Sequence, residues 1–185
     1  MSLKNDDSRY GALSIGLHWL MLLLLVAVYA TIELREAFPK GSDPRELLKT
    51  WHFMLGLTVF GLVWLRLAAR FLGGSPAIAP PPSPWETRLA GAMHLALYAL
   101  MIGLPLMGWL MLSAAGKPIP FFGMELPALT GENRALSLEL KEVHEALATA
   151  GYILVGLHAL AALYHHYLRR DNTLLRMLPA HGASR

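Results

Sequence analysis

The sequence predicts an all-α integral membrane protein, a four-helix transmembrane bundle, and three observations carry that expectation. Only 16% of the 185 residues are charged while 55% are hydrophobic, too little charge for an ordinary soluble domain of this length. The charges are also segregated: long runs carry almost none, and Lys, Arg, Asp and Glu gather between them. Four of those runs reach the roughly 20 apolar residues that crossing a bilayer requires, and the mean hydropathy of +0.42 agrees.

The first span is expected at about 14–34, SIGLHWLMLLLLVAVYATIEL. It is too long, and too lacking in a small-residue cleavage site, to be a removable signal peptide, so it reads as an anchor. A charged loop at 35–50 leads to the second span at about 51–71. The proline-rich GGSPAIAPPPSPWE at 73–86 then reads as an extended connector. The third span, about 89–113, contains Pro105, which is expected to kink it where a neighbouring helix covers the freed carbonyl. A longer loop at 114–142 precedes the fourth span, about 143–168. No repeat divides the chain, so residues 1–185 read as one domain.

Several classes are excluded by composition. With no cysteine, the chain holds no disulfide, thiolate cluster or iron–sulfur centre, nor any prosthetic group bonded through a Cys-x-x-Cys-His motif. The net charge of +3 does not point to nucleic acid, because the basic residues sit at the ends of apolar runs rather than in a patch. An even number of spans places both termini on one side. With the 73–86 connector, that side holds nine Lys/Arg against four acids, and the other side seven against nine. The positive-inside rule therefore predicts cytoplasmic termini. Trp19, Trp51, Trp85 and Trp109 lie near span ends, as interfacial anchors do.

Seven of the eight histidines, His18, His52, His94, His144, His158, His165 and His166, fall in or at the spans, where imidazole needs a partner to offset its desolvation. A lone intramembrane histidine is as often an interhelical hydrogen-bonder as a ligand; seven in four helices shift that balance. Counting from the nearest basic residue gauges their depth. On the outer side, His52 follows Lys49 and His144 follows Lys141 by the same interval, which puts both about 5 Å inward. On the inner side, His18 counted from Arg9 and His158 from Arg169 lie about 13 and 16 Å deep, while His94 from Arg88 and His165 from Arg169 lie about 9 and 6 Å deep. Depth thus pairs His52 with His144, His18 with His158, and His94 with His165. Along the fourth span, His144 and His158 are separated by a rise of about 21 Å and share a face that His165 continues, whereas His166 points about 100° away.

Two depth-matched histidine pairs on different helices suit bis-imidazole haem iron, and haem b needs no cysteine. Zinc usually takes more ligands per site, and no Cys, Asp or Glu accompanies either pair; Glu145 lies on another helix face. Gly56, Gly151 and Gly156 could admit porphyrin planes, although glycine is also common in membrane helices. Structural histidines or a proton relay remain the alternatives.

SIGLHWL in the first span, WHFMLGLTVFGLVWLRL in the second, AMHLALYAL in the third and the closing LKEVHEALATAGYILVGLHALAALYHHYLRRDNTLLRMLP carry a family likeness. On these stretches the chain resembles the bacterial di-haem cytochrome b561 family over nearly its whole length, and more closely its superoxide oxidase members, which are superoxide:ubiquinone oxidoreductases. The resemblance implies a bundle enclosing two b-type haems in the bacterial inner membrane, with His18, His52, His144 and His158 as axial ligands. It further implies that superoxide is oxidised at the periplasmic haem (His52, His144), that electrons pass to the inner haem (His18, His158), and that ubiquinone is reduced near the cytoplasmic face.

Lys49 and Lys141, beside the outer ligands, are the expected steering cations for the anion, together with Lys117 and Arg134, although Glu46, Glu132, Glu139 and Glu142 are interleaved with them. His94 and His165 are expected to deliver protons to the quinone, with Trp19 as a flat wall. Arg66 and Arg70 are expected to snorkel or to neutralise the inner haem propionates, and His166 and His181 to face water or headgroups. The same histidine layout also suits an electron-transfer subunit working between quinone and a hydrogenase or dehydrogenase partner. A scaffold or proton channel would need no cofactor.

Overall fold

The computed structural model describes residues 3–179, so His181 and Arg185 lie outside the described residues. Four long helices follow one another in sequence. Helix α1, Ala12–Leu34, ends in a single 3-10 turn at Arg35–Ala37. Helix α2 is Asp43–Gly73, with Pro44 in its first turn, where a missing N–H removes no hydrogen bond. Helix α3, Pro84–Ala114, begins with a capping box in which the Glu86 carboxylate accepts from both the backbone N–H and the hydroxyl of Ser83. Helix α4, Arg134–Tyr164, is capped by the Asn133 side chain, which accepts from Leu136 N–H, and it continues through a π turn at His165–Arg169.

All four helices are long and apolar enough to cross a membrane. Three begin well before the apolar runs alone indicate: α2 starts at Asp43, α3 at Pro84 and α4 at Arg134, all inside stretches read as loop or connector. Hydropathy marks only the part of a helix that lies in hydrocarbon. Caps and charged turns carry the same helix on into water.

The segment read as a long loop at 114–142 holds a two-stranded hairpin, β1 (Ile119–Phe121) and β2 (Met124–Leu126), antiparallel with Ile119 opposite Leu126. Phe122 and Gly123 both have positive φ, as a two-residue hairpin turn of the primed type demands. Ile119 is buried with Leu57 and Leu112, and Phe53, Trp109, Phe121 and Leu126 pack around them. Trp109 Nε1 also donates to the Pro127 carbonyl at 2.9 Å. The hairpin thereby closes one end of the bundle.

Helix α1 packs on α2, α2 on α3 and α3 on α4, whereas α1 and α4 approach each other far less closely. A core of Met21, Val59 and Val63, flanked by Leu24, Tyr98 and Met101, fills the middle of the other helices. Leu23, Val26, Leu65, Leu95, Ile153 and Leu160 face outward. In a bilayer that exposure is not a penalty, since lipid tails are as apolar as leucine. The gap along α4 is what remains to be filled.

Candidate functional site

One stripe of α4 faces that gap. His144, Ala148, Gly151, Val155, His158 and Ala162 recur at alternate steps of four and three residues, the spacing of a single helix face. They line two cavities that meet at Val155. The cavity at the hairpin end has a volume of about 90 Å³ and the one at the end nearer the termini about 350 Å³. Ligand-binding cavities run from about 300 to 1,000 Å³; the second reaches that range and the first is narrower.

A pair of histidines from different helices stands in each cavity. At the hairpin end, His52 of α2 and His144 of α4 have ring centroids 6.4 Å apart, with ring planes at 73°. His52 Nδ1 lies 2.9 Å from the Val28 carbonyl, so it carries the proton and leaves Nε2 free, as second-shell bonds do for metal-bound imidazoles. The His144 ring stands above Gly108, with the Leu104 backbone within reach of it. At the other end, His18 of α1 and His158 of α4 have centroids 6.2 Å apart, again at 73°. A metal–imidazole bond of about 2 Å on each side, plus about 1.1 Å from nitrogen to ring centre, puts the centroids of two trans ligands about 6.2 Å apart. The residues present therefore fit a bis-imidazole haem in each cavity.

The three glycines differ. Gly56 lines the hairpin-end cavity with nothing within 4 Å of where a side chain would start. At Gly151 a side chain would collide with the Tyr29 hydroxyl, which donates to the Ala148 carbonyl at 2.9 Å, so this glycine makes room for Tyr29. Gly156 is exposed and lines neither cavity.

His94 does not pair with His165. Its ring centroid lies 5.6 Å from that of His158, inside the larger cavity. Depth was counted from Arg88, but α3 starts at Pro84; counted from there, His94 is about 15 Å deep, level with His158. His165 lines neither cavity, and its Nδ1 lies 2.5 Å from the buried Asp171 carboxylate. Burial alone would raise the Asp171 pKa, but hydrogen bonds from His165 and Thr173 outweigh it and hold the carboxyl below its ordinary value. Trp19 does line the larger cavity, and its Nε1 donates to the Met177 carbonyl at 2.8 Å. The His166 ring contacts Tyr167.

Lys49 is paired with Glu46 at 2.7 Å and Lys141 with Glu145 at 2.8 Å, and neither lines a cavity. Arg66 and Arg70 do line the larger one, together with Tyr10, Thr173 and Arg176. The last three were not singled out in the sequence. The signal for the turn was Asp171-Asn172-Thr173 directly after a helix end: Asp171 accepts from Thr173 N–H, and Asn172 bonds to Ala79 in both directions. These bonds fold the closing segment back onto the bundle.

Membrane-length helices around buried histidine pairs are the architecture of a transmembrane b-type cytochrome. The pattern of the family described as prokaryotic cytochrome b561 matches residues 9–180. The chain is 39% identical over 172 residues to cytochrome b561 homolog 1 of Escherichia coli (strain K12), covering 93% of this chain and 98% of the relative. It is 40% identical over 171 residues to the probable superoxide oxidase CybB of Yersinia pestis, covering 92% and 96%. It is also 32% identical over 185 residues to cytochrome b561 homolog 2 of the same Escherichia coli strain, covering 96% and 95%. The chain belongs to the prokaryotic cytochrome b561 family: it is an integral membrane redox protein of a family that binds haem b.

Proposed function

We propose that this protein is a superoxide:ubiquinone oxidoreductase of the bacterial inner membrane, with two haems b and with both termini in the cytoplasm. The observation that carries the reading is the pair of histidine couples, 6.4 and 6.2 Å across, stationed at opposite ends of the bundle. The 40% identity to a probable superoxide oxidase supports the choice of substrate. In the overall conversion, two superoxide anions each lose one electron to become dioxygen. One ubiquinone gains both electrons and two protons to become ubiquinol.

His52 and His144 hold the periplasmic haem, and His18 and His158 the cytoplasmic one. Bound there, the haems supply one-electron carriers on both sides of the membrane. The chain's own residues position and insulate. The Val28 carbonyl orients the His52 ring. The hairpin, through its own Ile119 and with Trp109 packed against it, keeps the periplasmic cavity apolar, and outer-sphere transfer asks only that the anion approach that edge. Lys49 and Lys141 are each neutralised by a glutamate, so their field is that of a short-range dipole and they act only as weak steering groups. On the cytoplasmic side, Trp19 offers the quinone ring a flat wall and His94 a polar ring, both within the larger cavity. His165 is held by Asp171 and braces the closing segment instead.

The test is superoxide consumption by purified protein with ubiquinone, compared with His52→Ala protein, which is expected to lack the periplasmic haem. Quinone-dependent consumption above that control is expected. Its absence, with both haems present, makes the protein an electron-transfer subunit for a partner enzyme.

A further inference from the structure

Arg66, Arg70 and Arg176 line the larger cavity, and among the described residues no carboxylate does. Two buried guanidinium nitrogens that line it, Arg66 Nη1 and Arg176 Nε, have no hydrogen-bond partner among the described residues, and the Thr173 hydroxyl beside them has only the Asp171 carboxylate within reach. Arg176 is only 7% exposed, and its other bonds fix it in place, with Nη1 donating to the Pro76 carbonyl and the guanidinium 5.6 Å from the Tyr10 ring centroid. A buried donor left unpaired is costly, most of all a charged one, so orphaned guanidinium donors gathered in one cavity mark a ligand's place.

The tautomer of His18 sharpens this. Arg66 Nη2 lies 2.7 Å from His18 Nδ1. A guanidinium can only donate, so in that contact Nδ1 accepts and the His18 proton sits on Nε2. When Nε2 binds iron, the neutral ring must carry its proton on Nδ1, and Arg66 can no longer donate to it. Filling the site therefore releases a second donor of Arg66 beside the orphaned Nη1.

We propose that Arg66, Thr173 and Arg176 form the binding site for the carboxylates of the cytoplasmic haem, so that the segment after α4 is part of the cofactor's cradle. The inference rests on the reading of this cavity as a haem site. Two carboxylates facing these guanidiniums satisfy donors that no described residue pairs with, and Arg–carboxylate pairing is the strong, charge-assisted kind. Pairing also ties the closing segment, already held by Trp19 and by the His165–Asp171 contact, to occupancy of the cavity.

The test uses the holoprotein with haem labelled with carbon-13 at its propionate carboxyls. Redox-difference infrared spectra and a potentiometric titration are recorded for Arg66→Gln, Arg176→Gln and Thr173→Val. Removing a cation from beside the haem disfavours the reduced state. The arginine variants should therefore lower the midpoint of one of the two haem components, by about 59 mV if the reduction equilibrium constant falls tenfold, and should shift the labelled bands. Thr173→Val keeps the shape and every guanidinium, so it should shift the bands even if an arginine variant fails to fold. Unmoved bands and midpoints with both haems in place overturn the proposal. So do unmoved bands with weakened ubiquinone binding, which would assign the donors to a quinone carbonyl. A parent protein with one haem component overturns the two-haem reading itself.

Discussion

Replacing Gly56 with leucine separates the effect of a bound group from that of protein packing. Gly56 lies one turn beyond His52 and lines the hairpin-end cavity, and a Cβ placed there meets nothing within 4 Å. In the empty protein the leucine side chain starts without a clash beside the cavity, and the helix gains about 1 kcal/mol from losing a glycine. With haem in the cavity, the same atoms overpack the site at about 1–3 kcal/mol. That weakens haem binding roughly 5- to 150-fold. Haem titration followed by absorbance should therefore show one of two sites weakened by that factor, with the apoprotein at least as stable as wild type. A variant that binds two haems with unchanged affinity would refute the placement of a haem against Gly56. Gly151→Ala makes the contrast, because there the clash is with the Tyr29 hydroxyl and the apoprotein itself should be destabilised.

His158→Ala should abolish the cytoplasmic haem and keep the periplasmic one, while His94→Ala, 5.6 Å away, should keep both; a pyridine haemochrome count per protein decides it. Lys49→Gln and Lys141→Gln should change the superoxide rate less than about twofold at physiological salt, since each removes half of an exposed ion pair; a large, salt-dependent fall would restore them as the anion's guides. The Asp171 carboxyl titrates below its ordinary value of 3.8. Its contribution to holding the closing segment is thus fully present above about pH 3.8 and is lost as pH falls through the lower folded value. Hydrogen exchange of amides 171–178 should quicken only in that acid window, and in Asp171→Asn at neutral pH, where charge-assisted bonds worth about 1.5–3 kcal/mol are gone.

Much of this was legible in the residues. Apolar run length located the spanning helices, because bilayer thickness sets that length directly. The His52–His144 and His18–His158 couples emerged from rise per residue alone, because straight helices turn sequence separation into depth. The same count misplaced His94, since Arg88 lies a full turn inside α3 and is not its start. The hairpin at Ile119–Leu126 escaped because three-residue strands carry too little alternation to read, and because only Gly123, not Phe122, is a residue that a turn of positive φ favours. Residues whose roles come from the chain folding back, Asp171, Thr173 and Arg176, depend on the left-handed Arg170 and on contacts with Pro76 and Ala79 nearly a hundred positions away. No local pattern encodes such pairings.

The most direct test of the account is stopped-flow mixing of the oxidised, haem-loaded protein with superoxide, with and without ubiquinone. Superoxide alone should reduce the haems on mixing, and added ubiquinone should return them to the oxidised state as ubiquinol forms. Haems that stay oxidised in superoxide, yet are reduced by ubiquinol, would contradict the proposed direction of electron flow.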